Sequence, residues 1–207
     1  MLSWAIVLTL TTAIVCQFVQ HTDSIFPLLY FTVDSALFAV VVAGTALARP
    51  HCPRLPGLRI ASAVSVLLAA LVFAAVIAPA SATGTWVQPY DDYWVRAATF
   101  LFHLVGPILV TADFITTDLR GMSLRAVVAR CFIWPLSYLI ILTGLSVLGV
   151  IDLPYPFLVP AKVGWPTVVV AIVSLAVLIP LLATVLYALN RCIRAARPER
   201  VPTSGTR

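Results

Sequence analysis

The sequence predicts an all-α polytopic membrane protein, with six transmembrane helices in an antiparallel bundle. Three observations carry that expectation. First, 61% of the 207 residues are hydrophobic and only 10% are charged. An ordinary soluble domain carries about 25% charged residues, so a chain this apolar has no way to keep its whole surface in water. Second, six apolar runs approach the ~20 residues a helix needs to cross the hydrocarbon of a bilayer. Third, the basic residues are segregated to one side of those runs.

The runs are 4–20, 27–48, 60–80, 97–116, 127–151 and 166–189. The opening stretch, MLSWAIVLTLTTAIVCQFVQ, has no Lys or Arg ahead of its apolar run and no small-residue cleavage site after it. It reads as a first span rather than a cleaved leader. The second run is interrupted near its start by Thr32, Asp34 and Ser35. The fourth carries His103, Pro107 and Asp113, and the fifth contains WPLSY, residues 134–138. After the sixth run comes RCIRAARPERVPTSGTR, a basic stretch expected to be disordered beyond its first turn. The organisation is therefore a membrane domain over residues 1–190 and a tail over 191–207. No 20–50-residue repeat and no soluble domain are visible.

Orientation follows from the basic residues. Arg49, Arg54, Arg59, Arg120, Arg125, Arg130 and the tail arginines fall on one side, and only Arg96 and Lys162 on the other. Both termini are expected to be cytoplasmic, with outer loops at 21–26, 81–96 and 152–165. The preponderance of Arg over Lys and the abundance of Ala are compatible with a GC-rich bacterial genome, so the membrane expected is a bacterial cytoplasmic one. The net charge of +5 is accounted for by this topogenic asymmetry, and no nucleic-acid motif accompanies it. Trp86, Tyr90, Tyr93, Trp94, Tyr155 and Trp165 lie in the outer loops, where aromatic rings anchor spans at the interface.

Several chemistries have no signature here. Cys16, Cys52, Cys131 and Cys192 form no CxxC or Cys/His ligand pattern, so neither a disulfide framework nor a metal site is expected. There is no phosphate-cradling glycine loop, no HExxH and no GxSxG, and no cofactor is implied. The adjacent carboxylates of PYDDYW, residues 89–94, read as a solvated negative rim.

Ionisable residues inside spans are costly and tend to face a bundle interior or a site. At 1.5 Å per residue, Thr32 lies about 8 Å, Asp34 about 10 Å and His103 about 9 Å below the outer end of its helix. These three share a level. Asp113 lies about 15 Å deeper than His103 and cannot touch it. A Thr and a His at equal depth suggest a nucleophile and its base, with a carboxylate such as Asp34 holding the imidazole. Thr32 and Asp34 point about 200° apart on a regular helix, whereas Ser35 shares the face of Thr32 and offers a second hydroxyl. Pro107 is expected to kink the fourth helix and free a carbonyl near His103. Asp113 has a simpler role available, pairing with Arg120 or Arg125 near the inner face. Trp134, Tyr138 and Tyr155 stand where they can floor or roof a pocket.

Four segments resemble a known family. YFTVDSALFAVV (30–41), FLFHLVGPILVTAD (100–113), WPLSY (134–138) and PYPFL (154–158) are similar, in order and placement, to motifs of the androgen-induced protein family. That family includes the androgen-dependent regulator of tissue factor pathway inhibitor and six-span bacterial relatives. The resemblance implies an intramembrane threonine hydrolase that cleaves fatty acid esters of hydroxy fatty acids. It places the nucleophile on Thr32 and its base on His103. The chain departs from the family at Val159, where an acidic residue is usual, and at Asp34–Ser35–Ala36, where bacterial relatives often carry Gln-Ser-Asn. The expected partner is a lipid ester within the membrane. A small proton-linked carrier and a lipid-binding protein without chemistry are the alternatives.

Overall fold

The computed structural model describes residues 1–119 and 121–196. Six helices are long and apolar enough to cross a membrane: α1 (Leu2–Val19), α2 (Phe31–Ala48), α3 (Leu55–Ala80), α4 (Tyr93–Ile115), α5 (Leu124–Val147) and α6 (Trp165–Ala195). The described residues contain no strand. The protein is an all-α integral membrane bundle, and short connections make successive helices antiparallel.

α3 is the central helix and packs against α2, α4, α5 and α6. Its composition allows this. Ala61, Ser62, Ala63, Ser65, Ala69 and Ala70 are all buried, and small side chains let helix backbones approach closely where no hydrophobic effect drives association. α5 and α6 form the opposite extreme. Each turns large side chains such as Ile140 and Val170 outward, as a lipid-facing helix must.

α2 starts at Phe31 and α5 ends at Val147, inside the expected runs, whereas α3 and α6 extend beyond theirs where a polar residue finds a partner. α3 starts at Leu55 instead of residue 60 and so takes in Arg59. Arg59 Nε lies 3.2 Å from Asp113 Oδ2 of α4, and its Nη1 donates to Thr117 Oγ1 (3.2 Å). The partner of Asp113 is thus Arg59. Arg125 is exposed, and Arg120 lies outside the described residues. Ser3 Oγ donates to the other carboxylate oxygen of Asp113 (3.3 Å), which ties in α1. Asn190 Nδ2 donates to the carbonyls of Phe114, Ile115 and Thr117, at 3.0–3.2 Å. Arg194 pairs with Asp118 (2.9 Å). α6 therefore runs through 191–195, which the sequence reading assigned to the tail; residues 197–207 lie outside the described set. These bonds fasten α1, α3, α4 and α6 together at the arginine-rich end.

The opposite end is held by its loops. Asp92 caps α4 by accepting from Val95 N–H (2.9 Å), and it also accepts from His21 N–H (2.8 Å). These amide donors hold its carboxyl below the usual carboxylate range. Asp91 accepts from Gln88 N–H (2.7 Å). PYDDYW is therefore a folding element as well as a rim: its carboxylates satisfy amides that the loop leaves without helical partners. No cluster of three metal-ligating side chains occurs among the described residues.

Two helices contain a widened turn. In α3 it spans Phe73–Ile77 and is closed by Ala78 N–H bonding to Phe73 C=O. In α4 it spans Leu101–Val105 and is closed by Gly106 N–H bonding to Leu101 C=O. Pro79 and Pro107 follow immediately. Proline has no N–H to offer and its ring crowds the carbonyl four residues back, so opening the turn to an i→i−5 bond relieves both problems. The kink expected at Pro107 takes this form.

Gly106 sits where α4 presses on α1. A Cβ there would stand 2.7 Å from Leu10 Cδ2 and 2.9 Å from the Leu101 carbonyl oxygen. Leu10 is fully buried, so neither neighbour has room to yield. Gly106→Val should destabilise the bundle by about 1–3 kcal/mol, the usual cost of overpacking. Unfolding in detergent, compared with Gly44→Val at a position with open space, reads the difference.

Candidate active site

α2 begins after a short turn, Pro27–Leu29, with Tyr30 in extended conformation as its N-cap residue. Tyr30 supplies no side-chain cap, so the first-turn amides of α2 depend on other partners. Phe31 N–H donates to the phenol oxygen of Tyr155 (2.8 Å), which reaches in from the loop before α6. Val33 and Asp34 N–H both donate to Tyr30 C=O (3.1 Å each). Thr32 N–H has no acceptor among the described residues.

The Thr32 side chain faces a cavity of about 120 Å³ enclosed by α2, α3, α5, α6 and the Tyr155 loop. Its walls include Val72, Phe132, Tyr138, Phe157 and Leu175 and are almost wholly apolar. Leu136 and Ile172 also line it and are at the same time exposed on the bundle surface. The cavity thus communicates with surrounding lipid between α5 and α6. A Thr inside a membrane helix ordinarily returns its hydroxyl to a carbonyl one turn back, as Thr45 does to Val41 C=O (2.8 Å). Thr32 stands too early in its helix to have such a carbonyl. Its hydroxyl makes no hydrogen bond among the described residues and is left to the cavity.

Two phenols share this cavity with Thr32. Tyr138 O–H donates to Leu29 C=O (2.5 Å) and pins the turn ahead of α2. Tyr155 is 8% exposed and uses its oxygen to accept from Phe31 N–H. Burial pushes its phenol up to about 12, so it keeps its proton at neutral pH. The aromatic motifs that the sequence singled out therefore meet at the start of α2.

The remaining candidates have definite places. Ser35 is buried and donates to Thr32 C=O (3.0 Å), so its hydroxyl is committed to the helix. Asp34 is half-buried beside the Trp134 indole and within electrostatic reach of Tyr138 and Tyr155. Trp134 stacks on Phe38 of α2, with centroids 4.3 Å apart. Pro107 is buried behind the widened turn of α4. Asp113 belongs to the Arg59 lock at the far end of the bundle.

His103 lies within the widened turn of α4. Its imidazole stacks face to face on Phe73 of the widened turn in α3, with centroids 3.8 Å apart and planes 2° from parallel. Trp86 packs edge-on against Phe73 from the loop above. The buried Nδ1 of His103 has no hydrogen-bond partner. No hydrogen bond joins His103 to Thr32 or to Asp34 among the described residues, and His103 does not line the Thr32 cavity. The structure thus brings Thr32 together with Tyr138 and Tyr155, and it places His103 against Phe73. Sequence reasoning missed Phe73 altogether; Pro79, six residues after it, was the available signal.

Comparison of the chain with family models, with characterised proteins and with solved structures finds no match in any of the three.

Proposed function

We propose that the protein is an intramembrane hydrolase of lipid esters, with Thr32 as nucleophile and His103 as general base. The observation that carries this reading is the free hydroxyl of Thr32, presented to an apolar cavity that opens toward lipid. An ester whose chains stay in the membrane needs only its carbonyl to enter, and a space of about 120 Å³ suits that group. Thr32 and Tyr155 both line that space, and the Thr32 N–H has no acceptor among the described residues.

The chemistry follows from those groups. His103 removes the Thr32 hydroxyl proton as the oxygen attacks the ester carbonyl. The developing oxyanion is met by the Thr32 amide and the Tyr155 O–H, donors already held in a water-poor site. Collapse breaks the bond to the alcohol oxygen, which leaves with the proton carried by His103. Water, deprotonated by His103, then attacks the acyl-threonine and releases the carboxylic acid. For the first step the imidazole must leave the face of Phe73 and reach Thr32. A buried nitrogen without a partner costs about 1–3 kcal/mol, so little holds it in the stacked position except the ring contact itself.

The location proposed for this chemistry is a bacterial cytoplasmic membrane with both termini inside. The support is the crowding of arginines at the end that carries Met1 and the end of α6. A proton-linked carrier fits less well, because Asp113 is paired with Arg59 rather than open to a pathway. Lipid binding without chemistry is the second reading, favoured by the absence of a Thr32–His103 hydrogen bond.

Two measurements test the assignment. Purified protein treated with a lipophilic fluorophosphonate should become labelled, and His103→Ala should slow the labelling. A wild-type protein that binds the ester but neither reacts nor turns it over establishes the second reading instead. Tyr155→Phe should lower kcat about 10²-fold with KM nearly unchanged, the signature of a lost transition-state donor. An effect confined to KM would mean that Tyr155 only shapes the cavity.

A further inference from the structure

A second cavity, of about 520 Å³, lies between α2, α3 and α5 toward the arginine-rich end. Its polar lining comes from Arg54, at the N-cap of α3, and Arg130, within α5. Phe38, Leu58, Ile133 and Trp134 supply apolar walls. Neither arginine makes an ion pair or a hydrogen bond among the described residues. Both side chains are exposed, whereas Arg59 and Arg194 are drawn into ion pairs.

The position of Arg130 is made by Gly57. A Cβ at that residue would stand 2.9 Å from Arg130 Cδ and 3.3 Å from its Nε. The bare backbone of α3 thus lets the Arg130 side chain lie against it, on the cavity that Arg54 also lines. Six residues into its helix, Arg130 starts about 9 Å from the helix end, at the depth of lipid headgroups and upper acyl chains. Two guanidinium groups on a cavity with no carboxylate in its lining make it a positively charged site. The apolar walls continue outward into the lipid-facing surface of α5, where Ile133 is exposed. Asp34 lies beyond Trp134 and does not line the cavity. Guanidinium groups over apolar walls at this level suit a phosphate headgroup with its acyl chains attached.

We propose that this cavity binds one anionic phospholipid, its headgroup phosphate held by Arg54 and Arg130 and an acyl chain lying along Phe38, Leu58 and Ile133. The proposal is independent of the hydrolase reading, since none of these residues touches the Thr32 cavity.

The test uses full-length protein in nanodiscs of phosphatidylcholine containing a minor fraction of phosphatidylglycerol, followed by gentle release and native mass spectrometry. Wild type should retain one phosphatidylglycerol in preference to phosphatidylcholine. Arg54→Gln, at a helix end where folding is not at stake, should reduce retention about 5-fold, and Arg54→Gln/Arg130→Gln about 30-fold, as expected for two headgroup contacts of ordinary strength. Arg125→Gln, an exposed arginine outside the cavity, should leave retention unchanged. Equal loss with Arg125→Gln would show general surface attraction and overturn the proposal, as would retention that survives the double substitution. Displacement of the lipid by millimolar inorganic phosphate alone would overturn it too, by making this a site for soluble anions.

Discussion

Thr32→Ala should reduce ester turnover at least about 10³-fold, the scale of losing a nucleophile when binding and electrostatic stabilisation remain. Binding of the ester should persist, because the methyl-sized side chain leaves the apolar walls in place. Thr32→Ser should retain most activity, since it keeps the hydroxyl at the same point of α2. The measurement is hydrolysis of a long-chain ester by protein in lipid nanodiscs, with ester binding followed in parallel. Turnover that is unchanged in Thr32→Ala rejects the threonine mechanism whatever happens at His103. Loss in both Thr32→Ala and Thr32→Ser, with binding intact, would point to a shape requirement rather than a hydroxyl.

The second large effect lies far from that chemistry. Asp113 is 7% exposed, and its carboxylate faces Arg59 and Ser3. Asp113→Asn leaves the Arg59 guanidinium in the bundle without its counter-charge. Breaking a buried pair from one side costs about 3–5 kcal/mol, most of a small protein's stability margin. Removing both charges in Arg59→Met/Asp113→Leu should recover much of that loss, because packed apolar groups replace two desolvated ions. Thermal unfolding in detergent distinguishes the two. A single substitution that is no worse than the double one would mean that water already reaches the pair. The same pair bears on transport: if Asp113 carried protons, Asp113→Asn would change flux without unfolding the protein.

Much of the architecture was legible because hydropathy alone dictates it. Runs of apolar residues about 20 long have one stable arrangement in a bilayer, and all six appear as helices. The helix ends were less legible for a specific reason. Arg59 looks like a loop residue until Asp113, on another helix, cancels its charge. The same holds for Arg194, which pairs with Asp118. Such partners are distant in sequence and leave no local pattern.

The candidate site divides in the same way. Depth along a helix can be counted, so Thr32 and His103 can be put at one level. The direction in which each side chain points depends on helix rotation and on widened turns, which counting does not reveal. Tyr155 could be placed in a loop near the membrane surface, but not at the first amide of α2. Thr32 itself was ambiguous in sequence, since most membrane threonines bond their own helix. Its freedom comes from standing second in α2, directly after the turn at Pro27–Leu29.

The widened turn at Leu101–Val105 has a consequence for how this chain can vary. An i→i−5 turn holds one more residue than the helix on either side of it would. Deleting one residue there would let the turn close to regular i→i−4 winding with the segments on either side nearly in their present phase. The same deletion in the regular winding Tyr93–Phe100 would instead swing what precedes it by about 100° about the axis of α4, and Asp92 would cap the helix from a different side. Length is therefore more freely varied within this turn than in the windings around it. What a change of length inside the turn would alter is the place of His103 itself, which stands within it against Phe73.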